Sequence, residues 1–528
     1  MHHLSIPARN ALCNDTKSPE TAPEAAPARA RPMTVGGNRR GRTTVLRMTA
    51  RLLPALVVLY SLIAGVAADD AERIQPWKEN PRYWQYQGKP VLLLGGSQDD
   101  NLFQLPNLAE HLDEMQRVGA NFIRNTMSAR QDGGFEVHEF YQREDGKYDL
   151  DRWNEEYWQR LENMLRWTHQ RNIIVQIEVW DRFDYSREHW LTSPWNPANN
   201  VNYTFEQTGL AAEYPEHPSS NKQPFFDAVA GMPNYDPKLD LVHEYQKRRV
   251  EKLLSYSLEY PHVLYCMNNE TSASPRWGQY WIQFIRDRAA RRGVEVFCTD
   301  MFDDAYMAER ARHTQVLFEH PEIYSFLDIS QVNSRNFDQL HWDRLQWLLE
   351  QAARHPRPAG HVKIYGSGYK SFGTGGPEDG VERFWRNIIG GSATSRFHRP
   401  DSGNGLNDLA QASIRAARLV EQRVRFWEVS PHMELLSQRE ADEAYLAAAP
   451  GEKYVVYFTD GGQVDVDLRQ APGEFTVTWI SISMGIEVQS GRQGSSIRPW
   501  PRQVRGGGTV TLTAPYQGPW VVTLVKTK

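Results

Sequence analysis

The feature that most constrains this chain is an alternation of short apolar runs with longer amphipathic ones across residues 91 to 425. Runs suited to strands fall at 91–94, 122–124, 173–179, 263–267, 294–298, 326–329, 362–365 and 393–397. Helical patterns fall at 105–118, 151–170, 239–260, 276–291, 338–353, 381–389 and 406–425. Within 276–291, Trp277, Tyr280, Trp281, Phe284 and Ile285 recur at i, i+3, i+4, i+7 and i+8, which is one buried stripe. Asp236-Pro237 and Ser274-Pro275 supply helix starts, a capping side chain followed by a first-turn proline. Such alternation predicts a parallel sheet covered by helices, and eight strands is the number a (β/α)8 barrel needs.

In a fold of this kind chemistry gathers at the carboxyl ends of the strands. The fourth run, Val263 to Met267, breaks there into Asn268, Asn269 and Glu270. Asp99 and Asp100 follow the first run, Asp181 the third and Asp300 the fifth; Asp328 lies in the sixth. Glu378 and Asp379 lie on a Gly-rich stretch after the seventh. Asp300 can equally cap a helix, and Glu378 can simply favour the positive end of the next helix dipole. Trp180 and Asp181 at the end of the third run, and Gln331 beyond the sixth, are candidate substrate contacts. Arg396, His398 and Arg399 make a cationic cluster on the eighth, suited to an anionic sugar or to a salt-bridged rim.

Composition narrows the partners. The net charge is -5 and no basic block lies in the folded part, so no nucleic-acid partner is expected. There is no CxxC, HExxH or Walker loop, and the glycines from Gly366 to Gly376 do not match a dinucleotide fingerprint; neither metal nor cofactor is expected. Cys13, Cys266 and Cys298 read as free thiols. The 17 Trp and 23 Tyr supply flat, half-polar platforms for sugar rings as well as core. Many of them crowd residues 181–236, which is far longer than a typical strand-to-helix loop. It is expected either to wall a cleft with sugar-stacking rings or to pack on itself.

Residues 1–47 lack periodicity and are expected to be a disordered or mis-called extension. Residues 48–68 carry Arg51, an apolar run and the small end Val66-Ala67-Ala68, the three parts of a secretory signal. A secreted or periplasmic protein with no membrane span in its mature form follows; its oligomeric state is left open. The barrel is assigned to 69–435. After 436 short alternating runs separated by turns predict an antiparallel β-sandwich over 436–528.

An Asn269-Glu270 pair closing a fourth strand resembles the signature of the large clan of retaining glycoside hydrolases built on (β/α)8 barrels. Gly119 to Arg124 resembles that clan's second strand. More narrowly, WKENPRYWQYQGKPVLLLGG, LDISQVN and ERFWRNIIGG resemble the apiosidase-like family of secreted barrels over residues 77–435. GPWVVTLV resembles the closing strand of the small β-domain that follows such barrels. The resemblance implies Glu270 as general acid/base, Asn269 as a ligand of the sugar 2-hydroxyl, and Arg124 as a buried partner of a second carboxylate. Partial burial at the barrel mouth is expected to raise the Glu270 pKa toward the operating pH.

In relatives the second carboxylate closes strand seven. Ser367 or Gly368 stands there in this chain, and neither replaces a carboxylate, so Asp300 and Glu378 are the substitutes. The expected activity is hydrolysis of O-glycosidic bonds in a plant or algal poly- or oligosaccharide. The rivals are a catalytically silent carbohydrate-binding barrel and a polysaccharide lyase that neutralises a uronate with a cation such as Arg396.

Overall fold

A computed structural model describes residues 72–130, 133–367, 373–488 and 501–527. Eight strands carry the site: β1 Leu93–Gly96, β2 Phe122–Thr126, β3 Ile174–Asp181, β4 Val263–Asn269, β5 Cys298–Thr299, β6 Leu327–Asp328, β7 Ala359–Ile364 and β8 Thr394–Phe397. They pair in parallel as two four-stranded sheets, ordered β2-β3-β4-β5 and β6-β7-β8-β1. The two sheets touch at both margins. Met301, just past β5, bridges to Asp328 in parallel. At the other margin the Asn121 N–H donates to the Leu94 carbonyl at 2.9 Å.

A helix follows each strand: α1 Leu108–Val118, α2 Glu155–Gln170, α3 Asp240–Ser257, α4 Arg276–Arg291, α5 Arg312–Glu319, α6 Asp338–Ala352, α7 Pro377–Ile389 and α8 Asp408–Glu421. Local chemistry sets their ends. Asn154 and Asn407 accept backbone N–H bonds as N-caps of α2 and α8. Gly119 ends α1 at φ +86°, where a side chain would be strained. Each helix buries one stripe, as α4 does with Trp277, Trp281 and Ile285. The short α5 is not visible in the sequence periodicity. The apolar run 294–298 contributes only its last residue to a strand. Its start is taken by the end of α4, since the Val294 N–H bonds the Ala289 carbonyl.

Beyond β8 the pairing turns antiparallel, with β9 Ala444–Ala449, β10 Lys453–Phe458, β11 Gln463–Asp467, β12 Glu474–Ser481, β13 Thr509–Thr513 and β14 Trp520–Lys526. One sheet runs β9-β10-β14-β12; β11 and β13 belong to a second. Leu446, Val456, Trp479 and Trp520 of the first share an apolar core with Val464 and Leu512 of the second. The opposite face of the larger sheet, with Tyr445, Tyr457, Ile480 and Val521, belongs to the main core instead. There Trp342 of α6 meets Tyr445 at 4.6 Å and Trp385 of α7 stacks on Tyr457 at 5.8 Å. Antiparallel pairing starts at Ser430–Pro431 against β9, ahead of the boundary expected at 436.

The aromatic stretch 181–236 folds as short helices and turns with a core of its own. Trp190, Trp195, Tyr203, Phe225 and Phe226 are buried, and Phe225 stacks on Tyr185 at 3.9 Å. The expectation that these rings form sugar platforms is corrected: they are packing. The stretch does reach the strand ends, where Asn221 Nδ2 bonds Ser272 Oγ at 3.4 Å.

The segments assigned to an extension (1–47) and a signal (48–68), and Cys13, lie outside the described residues. Among the described residues no helix is long and apolar enough to cross a membrane. Cys266 and Cys298 are free and buried.

Candidate active site

The site is built from the ends of β2, β3, β4 and β7. Arg124 on β2 is fully buried. Its Nε and Nη2 donate to Glu178 Oε1 and Oε2 on β3, both at 2.6 Å, and Nη2 also reaches Asn269 Oδ1 at 2.7 Å. Asp100 pairs with the remaining nitrogen. Two-pronged contact of this kind fixes both groups in one plane. Arg124 is thus the buried partner of two carboxylates, Glu178 on β3 and Asp100 beyond β1, and neither lies on strand seven.

Asn269 is held on every polar atom. Its Nδ2 donates to Asp181 Oδ2 at 2.9 Å, and its Oδ1 accepts from Arg124 and from Lys363 Nζ at 2.5 Å. Asp181, buried beside it, also accepts from the Phe183 N–H and pairs with Arg130.

Glu270 follows the last residue of β4 at φ +58°, in the left-handed region. That conformation costs a side-chain-bearing residue roughly 1–2 kcal/mol. Contacts to one oxygen hold it there. Tyr365 Oη and Gln331 Nε2 each donate to Glu270 Oε1 at 2.9 Å, and Lys363 Nζ forms an ion pair with the same atom. Oε2 accepts none of these bonds. Burial pushes the Glu270 carboxyl up, but the Lys363 charge and hydrogen bond, then the Tyr365 hydroxyl, outweigh it and bring it to about 2. The expectation of a raised pKa is corrected. The reason is Lys363, a cation on β7 whose Nζ pairs with Glu270 Oε1. Tyr365 and Lys363, rather than Ser367, are the strand-seven residues that face Glu270; Ser367 bonds the Asp401 carbonyl instead.

A second carboxyl stands next to this one. Thr271 bridges to Phe302 in parallel, and the Asp303 N–H donates to the Thr271 carbonyl at 3.0 Å. Asp303 thus lies on the neighbouring strand end at the level of Glu270. Burial and then the Glu270 charge push its carboxyl up to about 7, against Lys363 and Arg182. The two acids are pushed in opposite directions, Glu270 down by Lys363 and Asp303 up by burial and Glu270, the arrangement that divides acid from base in many active sites.

Other expected site residues go elsewhere. Asp300 is fully buried beneath Asn268, which donates to it from both backbone and side chain, so it is a structural carboxyl. Glu378 is exposed in the first turn of α7 and lines a separate cleft with Thr459, Asp460 and Pro519. Trp180 is buried against Trp277, Trp281 and Phe225 and offers no sugar platform. Arg396 is fully buried: Nη1 donates to the Val362 carbonyl at 2.6 Å and Nη2 reaches Ser97 and the Asp99 carbonyl. His398 and Arg399 face Asp100, and Arg399 also pairs with Asp401. The strand-eight cluster is gathered around Asp100, the carboxylate that Arg124 also pairs with.

Glu178, Cys266 and Asp328 bring their donor atoms within 4.8 Å of one another. Each is engaged otherwise: Glu178 by Arg124, and Asp328 by Gln176 at 3.0 Å and Ser330. Burial pushes the Cys266 thiol up, away from the thiolate that binds metal.

Glu178, Lys363 and Asp303 were missed from sequence. Glu178 and Lys363 carried a signal, an ionisable residue inside an otherwise apolar run, in IVQIEVW and HVKIY.

A family model described as a domain of unknown function (DUF6298) matches residues 141–318. No curated protein matches. Among solved structures, a glycoside hydrolase family 5 protein from Bacteroides vulgatus aligns with TM-score 0.57 at 11% identity, over 87% of this chain and 95% of that one. Another glycoside hydrolase aligns with TM-score 0.56 at 12% identity, over 87% and 98%. At such identity the likeness is one of fold.

Proposed function

We propose that this protein is a glycoside hydrolase whose two parallel sheets close into one (β/α)8 barrel. The observation that carries the reading is the Glu270–Asp303 pair, two carboxyls on adjoining strand ends, the first held through Oε1 by Lys363 and Tyr365. Asp303 donates its proton to the glycosidic oxygen as the bond to the anomeric carbon breaks. Glu270, ionised through Lys363, offers Oε2 either to the anomeric carbon or to an attacking water; the carboxyl separation in the substrate complex selects between them. The donor role inferred for Glu270 from sequence passes to Asp303, and Glu270 keeps the basic one. Export through residues 48–68 and action on a plant or algal glycan belong to the same proposal.

Reducing ends released from a glycan panel test it. Asp303→Asn should cost on the order of 100-fold or more on natural substrates and far less where the leaving group departs unprotonated. Equal losses on both kinds of substrate would remove Asp303 as the acid.

A second reading draws on Lys363 and Tyr365, which occupy the strand-seven place with groups able to move a proton from a uronate C5. That lyase would yield an unsaturated, ultraviolet-absorbing end instead of a simple reducing end.

A further inference from the structure

The stretch 181–236 presses one turn against the strand end that carries Glu270. The turn is Pro218–Ser220, closed by Asn221 in the left-handed region at φ +55°. Ser272, two residues past Glu270, grips it twice. Its Oγ donates to the Ser219 carbonyl at 3.2 Å and accepts from Asn221 Nδ2 at 3.4 Å. His217 opens this turn and is exposed. Its ring meets Phe183 edge-on, with the centroids 5.3 Å apart. Phe183 in turn donates its N–H to Asp181, the carboxylate that holds Asn269. His217 is tethered to the Asn269–Glu270 strand end from two sides, through Ser272 and through Phe183.

The turn also fixes the tautomer of this ring. Nδ1 accepts the Ser219 N–H at 3.2 Å and lies 2.9 Å from the Ser219 hydroxyl. A ring nitrogen that accepts a backbone N–H carries no proton, so the neutral imidazole bears its hydrogen on Nε2. Burial and then the Arg187 charge hold the His217 pKa below its ordinary value, which keeps the ring neutral near pH 7. The Glu270 charge pulls the other way, as it does only on a near neighbour. Among the described residues nothing accepts a hydrogen bond from Nε2. Capping the turn uses Nδ1 alone, a task that an asparagine performs as well. The outer N–H is what a histidine adds.

We propose that His217 is a specificity residue of the candidate active site, its Nε2–H donating to a hydroxyl oxygen of a sugar unit bound across Glu270. The inference rests on the carbohydrate-active reading above and adds one wall of the subsite, drawn from the stretch between β3 and α3. A neutral donor beside an ionised glutamate suits an uncharged hydroxyl, which Glu270 does not repel.

The test separates the cap from the donor. His217→Asn keeps an acceptor for the Ser219 N–H and removes the outer nitrogen. Calorimetry is run on the full chain carrying Asp303→Asn, which leaves the sugar uncleaved, with cellotetraose, xylotetraose, mannotetraose, galactotetraose and tetragalacturonate. Whichever binds should bind roughly 3- to 10-fold more weakly once His217→Asn is added, the loss of one neutral hydrogen bond. Diethyl pyrocarbonate should modify His217 in the free protein, and the bound tetrasaccharide should largely prevent it, read by peptide mass spectrometry. That protection decides the matter if His217→Asn does not fold. The proposal is overturned if a bound tetrasaccharide leaves His217 as reactive as before, or if His217→Asn binds it unchanged. A tetrasaccharide bound through His217 that the parent protein does not cleave would sink the hydrolase reading and leave this subsite standing. If none binds, both fall.

Discussion

At the scale of single residues the chemistry turns on one substitution of charge: a lysine on β7 faces the glutamate that closes β4. Lys363→Met should remove the strongest of the influences that oppose burial at Glu270, leaving Tyr365 and Arg124, so its carboxyl rises from about 2. The acid limb of the kcat/KM profile should then move to higher pH, and the alkaline limb set by Asp303 should move the same way, since Lys363 also holds that carboxyl down. A profile whose acid limb does not move would detach Lys363 from catalysis. The sequence made Glu270 and Asn269 legible because a polar break at the end of an apolar run marks a strand mouth. It misled at Arg396 for an equally physical reason. Side chains alternate along a strand, and Thr394, Arg396 and His398 share one face, so an arginine one residue before the end of β8 is interior. Distance from the mouth, not charge, decided its fate.

At the scale of elements the long stretch 181–236 is a packed body, with stability rather than affinity as the role of its rings. Phe225→Ala removes a ring that touches Tyr185, Trp180 and Trp195, and should cost about 3–5 kcal/mol. Urea denaturation measures that cost; a change in KM alone at unaltered stability would return the ring to the substrate. Helices were legible because a 3.6-residue period survives whatever packs on it. Strand five was not, since an apolar run says nothing about where the preceding helix releases the backbone. Asp303 was illegible for a further reason: its place depends on the pairing of residues beyond β5 with residues beyond β4, which no local pattern carries.

At the scale of the whole molecule, buried acids set the response to pH. Burial raises Asp184 to about 8 and Asp300 and Asp303 to about 7. Unfolded, these groups lose their protons near 4, so between about 4 and 8 the folded state binds more protons than the unfolded one. Their contribution to stability therefore falls as pH rises through that window. Glu270 and Asp304, depressed to about 2, act in the opposite sense only below about 4.5. Buried His111, His262, His341, His361 and His398 are depressed and act in the opposite sense below about 6.5, so the melting temperature should be higher at pH 6.5 than at pH 8, by calorimetry. The same scans should show one transition, because Tyr445 and Tyr457 of the C-terminal sheet lie in the main core. Deleting residues 430–528 should leave an aggregating remainder, and a soluble active truncation would refute the shared core. That shared face also bears on descent. A module joined by a linker can be shuffled between genes at no structural cost, whereas this one is keyed to Trp342 and Trp385 on the helices it covers. Recombination that moved it alone would strand two tryptophans in water, so α6, α7 and the sheet would have to move as one piece to keep those rings packed.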